Sequence, residues 1–146
     1  MKKILNNVII LCSVALISSC ATKKGNLTTN DTDLFSNKWQ VIQIGSETIK
    51  PEVNGTVPYL MFNKEDNRYS VKTGCNTING EIKINKNDIK FGLGMSTMMF
   101  CDDMSVENGF KTNLDKITSF QIEGNELKLM NNSTTIAKLK KNNELK

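Results

Sequence analysis

Histidine is absent from this chain of 146 residues. Without an imidazole there is no histidine-based triad, no general base of that kind and no ordinary zinc enzyme. No apolar run is long enough to cross a bilayer as a helix. The main one, Val8–Ile17, has ten residues, where about 20 are needed. Charge of one sign is not in excess, with 19 basic against 15 acidic residues. Removing Lys2 and Lys3 with a leader would leave 17 basic residues, a net charge of +2, which is no footprint for nucleic acid. No internal repeat is visible. The pair Gly92 and Gly94 lacks the third glycine and the strand-to-helix setting of a phosphate loop. Asp102, Asp103 and Glu107 crowd together without the spacing of an EF-hand loop, and capping of a following helix explains them more simply.

What is present begins at the first residues. Lys2 and Lys3 precede the short apolar run, which is the pattern of a secretory signal. The run ends in Ile17-Ser18-Ser19-Cys20, an aliphatic residue, two small ones and a cysteine. This resembles the lipobox of bacterial lipoproteins. It implies that residues 1–19 are a signal peptide, that cleavage falls before Cys20, and that the Cys20 thiol carries the lipid. Several acyl chains anchor durably, since each buried methylene contributes roughly 0.8 kcal/mol and one chain alone is marginal. An ordinary signal peptide with a nearby cysteine is the alternative. Residues 20–33 then read as a lipidated N-terminus and a flexible polar tether. Ala21 stands where an aspartate would suggest inner-membrane retention, and no acidic run follows. The analogy therefore implies an outer-membrane protein facing the periplasm.

The domain is expected over 34–141, with a polar tail at 142–146. Trp39–Ile44 is β-branched and aromatic and ends at Gly45, so it reads as a strand. A loop with Pro51, Gly55 and Pro58 follows. Tyr59–Phe62 and the alternating Tyr69 and Val71 flank the charged turn 63–67 as a hairpin. Ile78, Ile82, Ile84, Ile89 and Phe91 recur at even spacings apart from one odd step across the turn 85–87, predicting two strands with one buried face. Val106, Phe110, Leu114 and Ile117 fall at steps of four, four and three, which places them on one stripe of a helix over about 104–117. Asp102 or Asp103 would cap it. Three more strands are predicted around the turns at Gly124-Asn125 and Asn131-Asn132-Ser133. The basic residues Lys138, Lys140, Lys141 and Lys146 read as a solvated end. The fold class is mainly β, α+β by strict count: a small antiparallel barrel or sandwich with one helix.

Four cysteines are present. If Cys12 leaves with the signal and Cys20 carries lipid, Cys75 and Cys101 remain in an oxidising compartment, where disulfides form and persist. A bond between them would stabilise the fold by roughly 3 kcal/mol on the chain-entropy model. Two buried free thiols or a two-thiolate metal site are the alternatives; zinc fits poorly without histidine.

An ordered set of short motifs then carries a family likeness. Trp39, Tyr59-Leu60-Met61-Phe62, Gly74-Cys75-Asn76 with Asn79-Gly80, and Ile89-Lys90-Phe91-Gly92 come first. Met95-Ser96-Thr97-Met98-Met99-Phe100-Cys101, Glu107-Asn108-Gly109-Phe110 and Leu127-Lys128-Leu129 follow. Together, over about 34–140, they resemble the META domain, or HslJ-like, family. Phe100 and the pair Asp102-Asp103 depart from the alanine and proline expected around the second cysteine. The resemblance implies a small, mainly β domain with one helix, often on envelope lipoproteins. It also implies association with heat shock, envelope stress and drug tolerance, and no defined catalytic activity. A further likeness to secretin pilotins, which bind lipid or lipidated tails, is analogy of fold. The motif positions Trp39, Gly74, Asn76, Gly80, Thr97, Met98, Glu107 and Phe110 are expected to be structural. Glycines would allow positive φ or close approach, and Asn76 and Asn79 would bond turn backbone.

Met95, Met98, Met99 and Met104 fall within ten residues, and thioethers with thiolates select Cu(I). Because methionine also fills irregular cores, core packing is the simpler expectation for them. The functional expectation is a monomeric, lipid-anchored envelope protein without cofactor or catalytic activity. It would support envelope integrity or stress tolerance by binding a protein or lipid-like partner, with periplasmic Cu(I) binding through Met95–Met104 as the alternative.

Overall fold

The computed structural model describes residues 31–145. The signal sequence, Cys20 and the tether up to Asn30 lie outside the described residues. The described chain opens with a helix, α1 (Asp31–Ser36), so the last three residues of the expected tether are already helical. Six residues are too few for a periodic pattern to announce it. Tertiary partners hold this turn. Its free C-terminal carbonyls accept from Asn37 Nδ2 at Asp33 O (2.5 Å) and from the Trp39 indole N–H at Leu34 O (3.0 Å).

Ten strands follow: β1 (Trp39–Ile44), β2 (Glu47–Thr48), β3 (Tyr59–Asn63), β4 (Arg68–Lys72), β5 (Thr77–Asn85), β6 (Asp88–Phe91), β7 (Met95–Ser96), β8 (Ser119–Glu123), β9 (Glu126–Asn131) and β10 (Thr134–Lys141). A second helix, α2 (Ser105–Asn113), continues as a 3-10 turn over Leu114–Lys116. All strand pairs are antiparallel, in the order β10-β9-β8-β6-β5-β4-β3-β1, and β1 also pairs β10, so eight strands form a hydrogen-bonded ring. β2 adds to β1 and β7 to β5. The period-two pattern of the sequence explains the ring's inside: Leu60 and Phe62, Tyr69 and Val71, Ile78 and Ile82, and Leu127 and Leu129 all point to one buried face. Left-handed residues close four tight turns, at Asn67, Lys86, Gly124 and Asn132.

The ring is narrowest between β6 and β8, which share the single register pair Asp88 and Ser119, flanked by Ile89 N–H to Thr118 O and Phe120 N–H to Asn87 O. The expected helical stripe fills the gap beside it. Val106, Phe110, Leu114 and Ile117 are all buried there. The expected span 104–117 is therefore one buried element, tightened to a 3-10 turn at its end. Asp103, not Asp102, accepts the first-turn amide of Ser105 at 3.0 Å. Lys141, expected in the solvated end, closes the last strand against Trp39 and pairs with Asp33 at 2.7 Å.

Since neighbouring strands alternate direction, the two ends of the ring can be assigned. The start of β1, the ends of β3 and β10, and α1 share one end, where Phe35 stacks edge-on with Phe62 at 6.4 Å. The end of β1, the end of β4, the start of β5 and α2 share the other, where Gly109 of α2 lies against Ile44.

Candidate functional site

At the α2 end a turn, a loop and a helix meet around one side chain. The turn is Thr73-Gly74-Cys75-Asn76 between β4 and β5. Thr73 N–H and Oγ1–H both donate to Asn76 O, and Asn76 N–H donates back to Thr73 Oγ1 at 3.0 Å. Gly74 is required there twice over: its φ is +91°, and a Cβ would lie 2.5 Å from the Val53 carbonyl oxygen. Closure of the turn aims the buried Asn76 side chain across to the loop that follows β7.

All four hydrogen-bonding positions of that amide are used. Its Nδ2 donates to Met99 O (2.8 Å) and to Glu107 Oε2 (2.7 Å). Its Oδ1 accepts from Thr97 Oγ1 (2.7 Å) and from Met99 N–H (2.8 Å). An asparagine reading both polar groups of Met99 fixes that peptide as a strand neighbour would. Glu107, 1% exposed inside α2, receives Ser96 Oγ–H (3.1 Å) and Lys111 Nζ (2.5 Å) on its other oxygen. Burial works against its charge, but the bonds from Lys111, Asn76 and Ser96 outweigh burial and hold its pKa below the ordinary glutamate value. A buried carboxylate tolerated in this way needs every donor it has.

The cross-link completes the frame. Cys75 and Cys101 are disulfide-bonded, with Cα atoms 5.9 Å apart. Of the three states open to this pair, the disulfide is the one adopted, and it ties the loop's far end to the same turn.

With its backbone held from three sides, the loop turns its side chains outward. Met98 is 98% exposed, Phe100 93% and Met99 57%; outside the loop, Leu93 before β7 is 93% and Met95 within β7 is 69% exposed. The expectation that Met95, Met98 and Met99 pack in the core is therefore wrong, and Met104 is only half-buried. The reason is the partner set: Asn76 holds the Met99 main chain and the disulfide fixes Cys101, and neither buries the side chains between them. The disulfide also consumes both thiols, so no thiolate stands beside the thioethers. Among the described residues no group of three or more Cys, Asp or Glu is placed to hold a metal.

The remaining motif positions take different places. Asn76, Gly74, Thr97, Met98, Glu107 and both cysteines meet here. Trp39 is fully buried near the α1 end as a core anchor. Phe110 belongs to the core stripe. Gly80 sits mid-strand, where a Cβ would lie 2.5 Å from the Tyr69 ring. Burial raises the pKa of that phenol, whose O–H donates to Gly92 O at 3.3 Å. Asn79 is also in β5, opposite Met95, and not in a turn. Glu107, read with Asp102 and Asp103 as helix capping, instead points inward to Asn76. Thr73, Ser96 and Lys111 were missed; they are single polar residues in short elements, and only the fold assembles them. A second concavity, an open depression of about 540 Å³ along the β6–β8 seam, is lined by Ile84, Ile89 and Ile117 with Lys83, Lys90 and Asp115 around them.

Comparison with known proteins agrees with this architecture. The family model of the META domain matches residues 32–144. A comparison with curated proteins finds no match. Among solved structures, a protein from Burkholderia xenovorans determined by NMR is similar at 15% identity and TM-score 0.60, over 77% of this chain and 86% of that one. A duf4847 family protein from Bacteroides vulgatus is similar at 14% identity and TM-score 0.55, over 76% and 96%. A further NMR structure aligns at 17% identity and TM-score 0.59, over 74% and 91%. At these identities the solved structures speak to the fold alone. The family model covers most of the chain, and this chain belongs to the META domain family.

Proposed function

We propose that this META domain is a non-catalytic binding module, lipid-anchored through Cys20 to the outer membrane and facing the periplasm. It supports envelope integrity by engaging a partner at the loop between β7 and α2. The observation that carries this reading is the contrast at the α2 end. Buried polar groups and a disulfide are spent on fixing a backbone, while Met98 and Phe100 are turned almost fully to solvent. Isolated exposed apolar side chains are ordinary, but several on one short, immobilised loop mark an interaction site. Preorganisation of that kind lowers the entropy lost on binding. Glu107, the one strongly sequestered carboxylate among the described residues, is saturated with donors and shut away from solvent, which suits a scaffold and not an acid–base catalyst.

Two experiments test the reading separately. Cys20→Ser should move the protein from the membrane pellet to the soluble periplasmic fraction; retention in the pellet would remove the anchor. Met98→Ser with Phe100→Ser should reproduce the envelope-stress sensitivity of a deletion strain while leaving the protein folded and at normal abundance. Full complementation by that variant would remove the loop from the function.

A further inference from the structure

From the loop's composition and its position relative to the anchor, we infer that its partner is an apolar segment of another envelope protein, taken up without a fixed sequence. This deepens the binding-module reading and rests on it.

The first argument is chemical. Among the described residues three of the five exposed large apolar side chains are methionines, Met98 and Met99 on the loop and Met95 in the adjoining β7. Unbranched thioether side chains adapt to differently shaped apolar surfaces, and methionine-rich surfaces recur where one protein accepts many partners. A site for one fixed partner relies more on rigid aromatic anchors in shaped pockets; here Phe100 is the one aromatic among the five, and it projects singly at 93% exposure. Asp102, exposed beside Phe100, favours segments that carry a basic residue next to their apolar ones.

The geometry of the anchored chain disfavours the anchoring bilayer as the occupant. The chain enters the domain at α1, at the opposite end of the ring from the loop. Eleven residue steps separate Cys20 from Asp31, and a chain of that length reaches at most about 40 Å. A domain of this size is about 34 Å across. An anchored domain thus brings the loop to its own membrane only if those residues are nearly fully extended. A second copy is also disfavoured, because two such loops would bring like-charged Asp102 side chains together.

The test uses the full mature chain with Cys20→Ser, which needs no detergent and does not depend on the anchor being real. Fluorescence anisotropy is measured with two short labelled peptides of unrelated sequence, each rich in Leu and Phe spaced by Ser and Lys. A Ser/Gly/Lys peptide serves as control. Saturable binding of both apolar peptides and not of the control is expected. Met98→Ser with Phe100→Ser should weaken it at least about tenfold, the loss expected from removing two buried apolar side chains. Met98→Leu with Phe100→Leu, which keep apolar area, should retain it. Failure to bind either peptide overturns the proposal, as does equal affinity in the serine variant. Loop-dependent binding of phosphatidylethanolamine and phosphatidylglycerol vesicles in place of the peptides overturns it in favour of a lipid surface. A loop-dependent dimer that excludes the peptides overturns it in favour of self-association. None of these outcomes bears on the fractionation of the Cys20→Ser variant, so the anchor and the occupant fail independently.

Discussion

Asn76 is the residue whose replacement separates this account from a generic buried polar group. Asn76→Ala removes the four side-chain hydrogen bonds to Thr97, Met99 and Glu107 at once, with the longer one to Cys75 Sγ at 3.6 Å. Met99 is more than half exposed, so water can take over its N–H and C=O. Glu107 is sealed, and it loses a donor to a buried charge, a bond worth about 1.5–3 kcal/mol, with about 1 kcal/mol more from the others. The expected loss is therefore about 3 kcal/mol, read as a shift in urea midpoint with the disulfide intact and m unchanged. Asn76→Asp is the sharper variant because it keeps the shape and reverses the pH dependence. In the natural protein the folded state holds Glu107 below its ordinary value. The unfolded state therefore binds more protons in acid, and the contribution of Glu107 is present above about pH 4.3 and is lost as pH falls through the folded value. In the aspartate variant two carboxylates stand where a 2.7 Å bond was, so the folded pair retains a proton that the unfolded chain releases. Its stability must then fall as pH rises through the range where the natural protein is flat, and recover on acidification toward pH 5. Urea midpoints of both proteins at steps across that range test this. Parallel pH profiles would show that Asn76 and Glu107 do not share the bond described, and the reasoning on the network would fail.

Other outcomes follow from the same geometry. Reduction of Cys75–Cys101, which closes a separation of 26 residues, should lower stability by about 3 kcal/mol; amide exchange should rise most in the turn 73–76 and the loop 95–101. Gly74→Ala combines a positive φ with a backbone clash at 2.5 Å and should cost at least about 3 kcal/mol, read by thermal unfolding. Met98→Ser and Phe100→Ser, on fully exposed side chains, should change stability by no more than about 0.5 kcal/mol, so any functional defect they cause is not one of folding. Lys111→Met removes one donor from Glu107 at the half-exposed rim of α2 and should cost about 1 kcal/mol, less than Asn76→Ala because solvent can partly replace an exposed cation.

How much of this was legible in the sequence depended on the range of the interaction. Strands β3 to β6 and β8 to β10 were readable because a period of two is a local consequence of one buried face, and Val106, Phe110, Leu114 and Ile117 announced α2 for the equivalent reason. Closure of the ring was not legible, since pairing of Trp39 with Lys141 joins the two ends of the domain and leaves no periodic trace. The two-residue strands β2 and β7 and the short α1 were missed because each is held by tertiary partners, such as the Trp39 indole on Leu34. At the site, the cysteine pair and Asn76 were singled out. Their joint effect on Met95, Met98 and Met99 was misread, because methionine composition alone does not distinguish a core filler from a displayed side chain. What decided the matter was the main chain of Met99 being bonded on both sides by an asparagine 23 residues earlier.

The central claim, that the immobilised methionine loop is the surface through which this META domain meets its partner, is tested most directly in living cells. A photocrosslinking amino acid is placed at Met98 or Phe100, and as control at Lys64 beside α1 at the opposite end of the ring. Protein adducts are expected at Met98 and Phe100, reduced by Met95 and Met99 substitution, and none at Lys64. Equal labelling at all three positions, or adducts only at the α1 end, would contradict it.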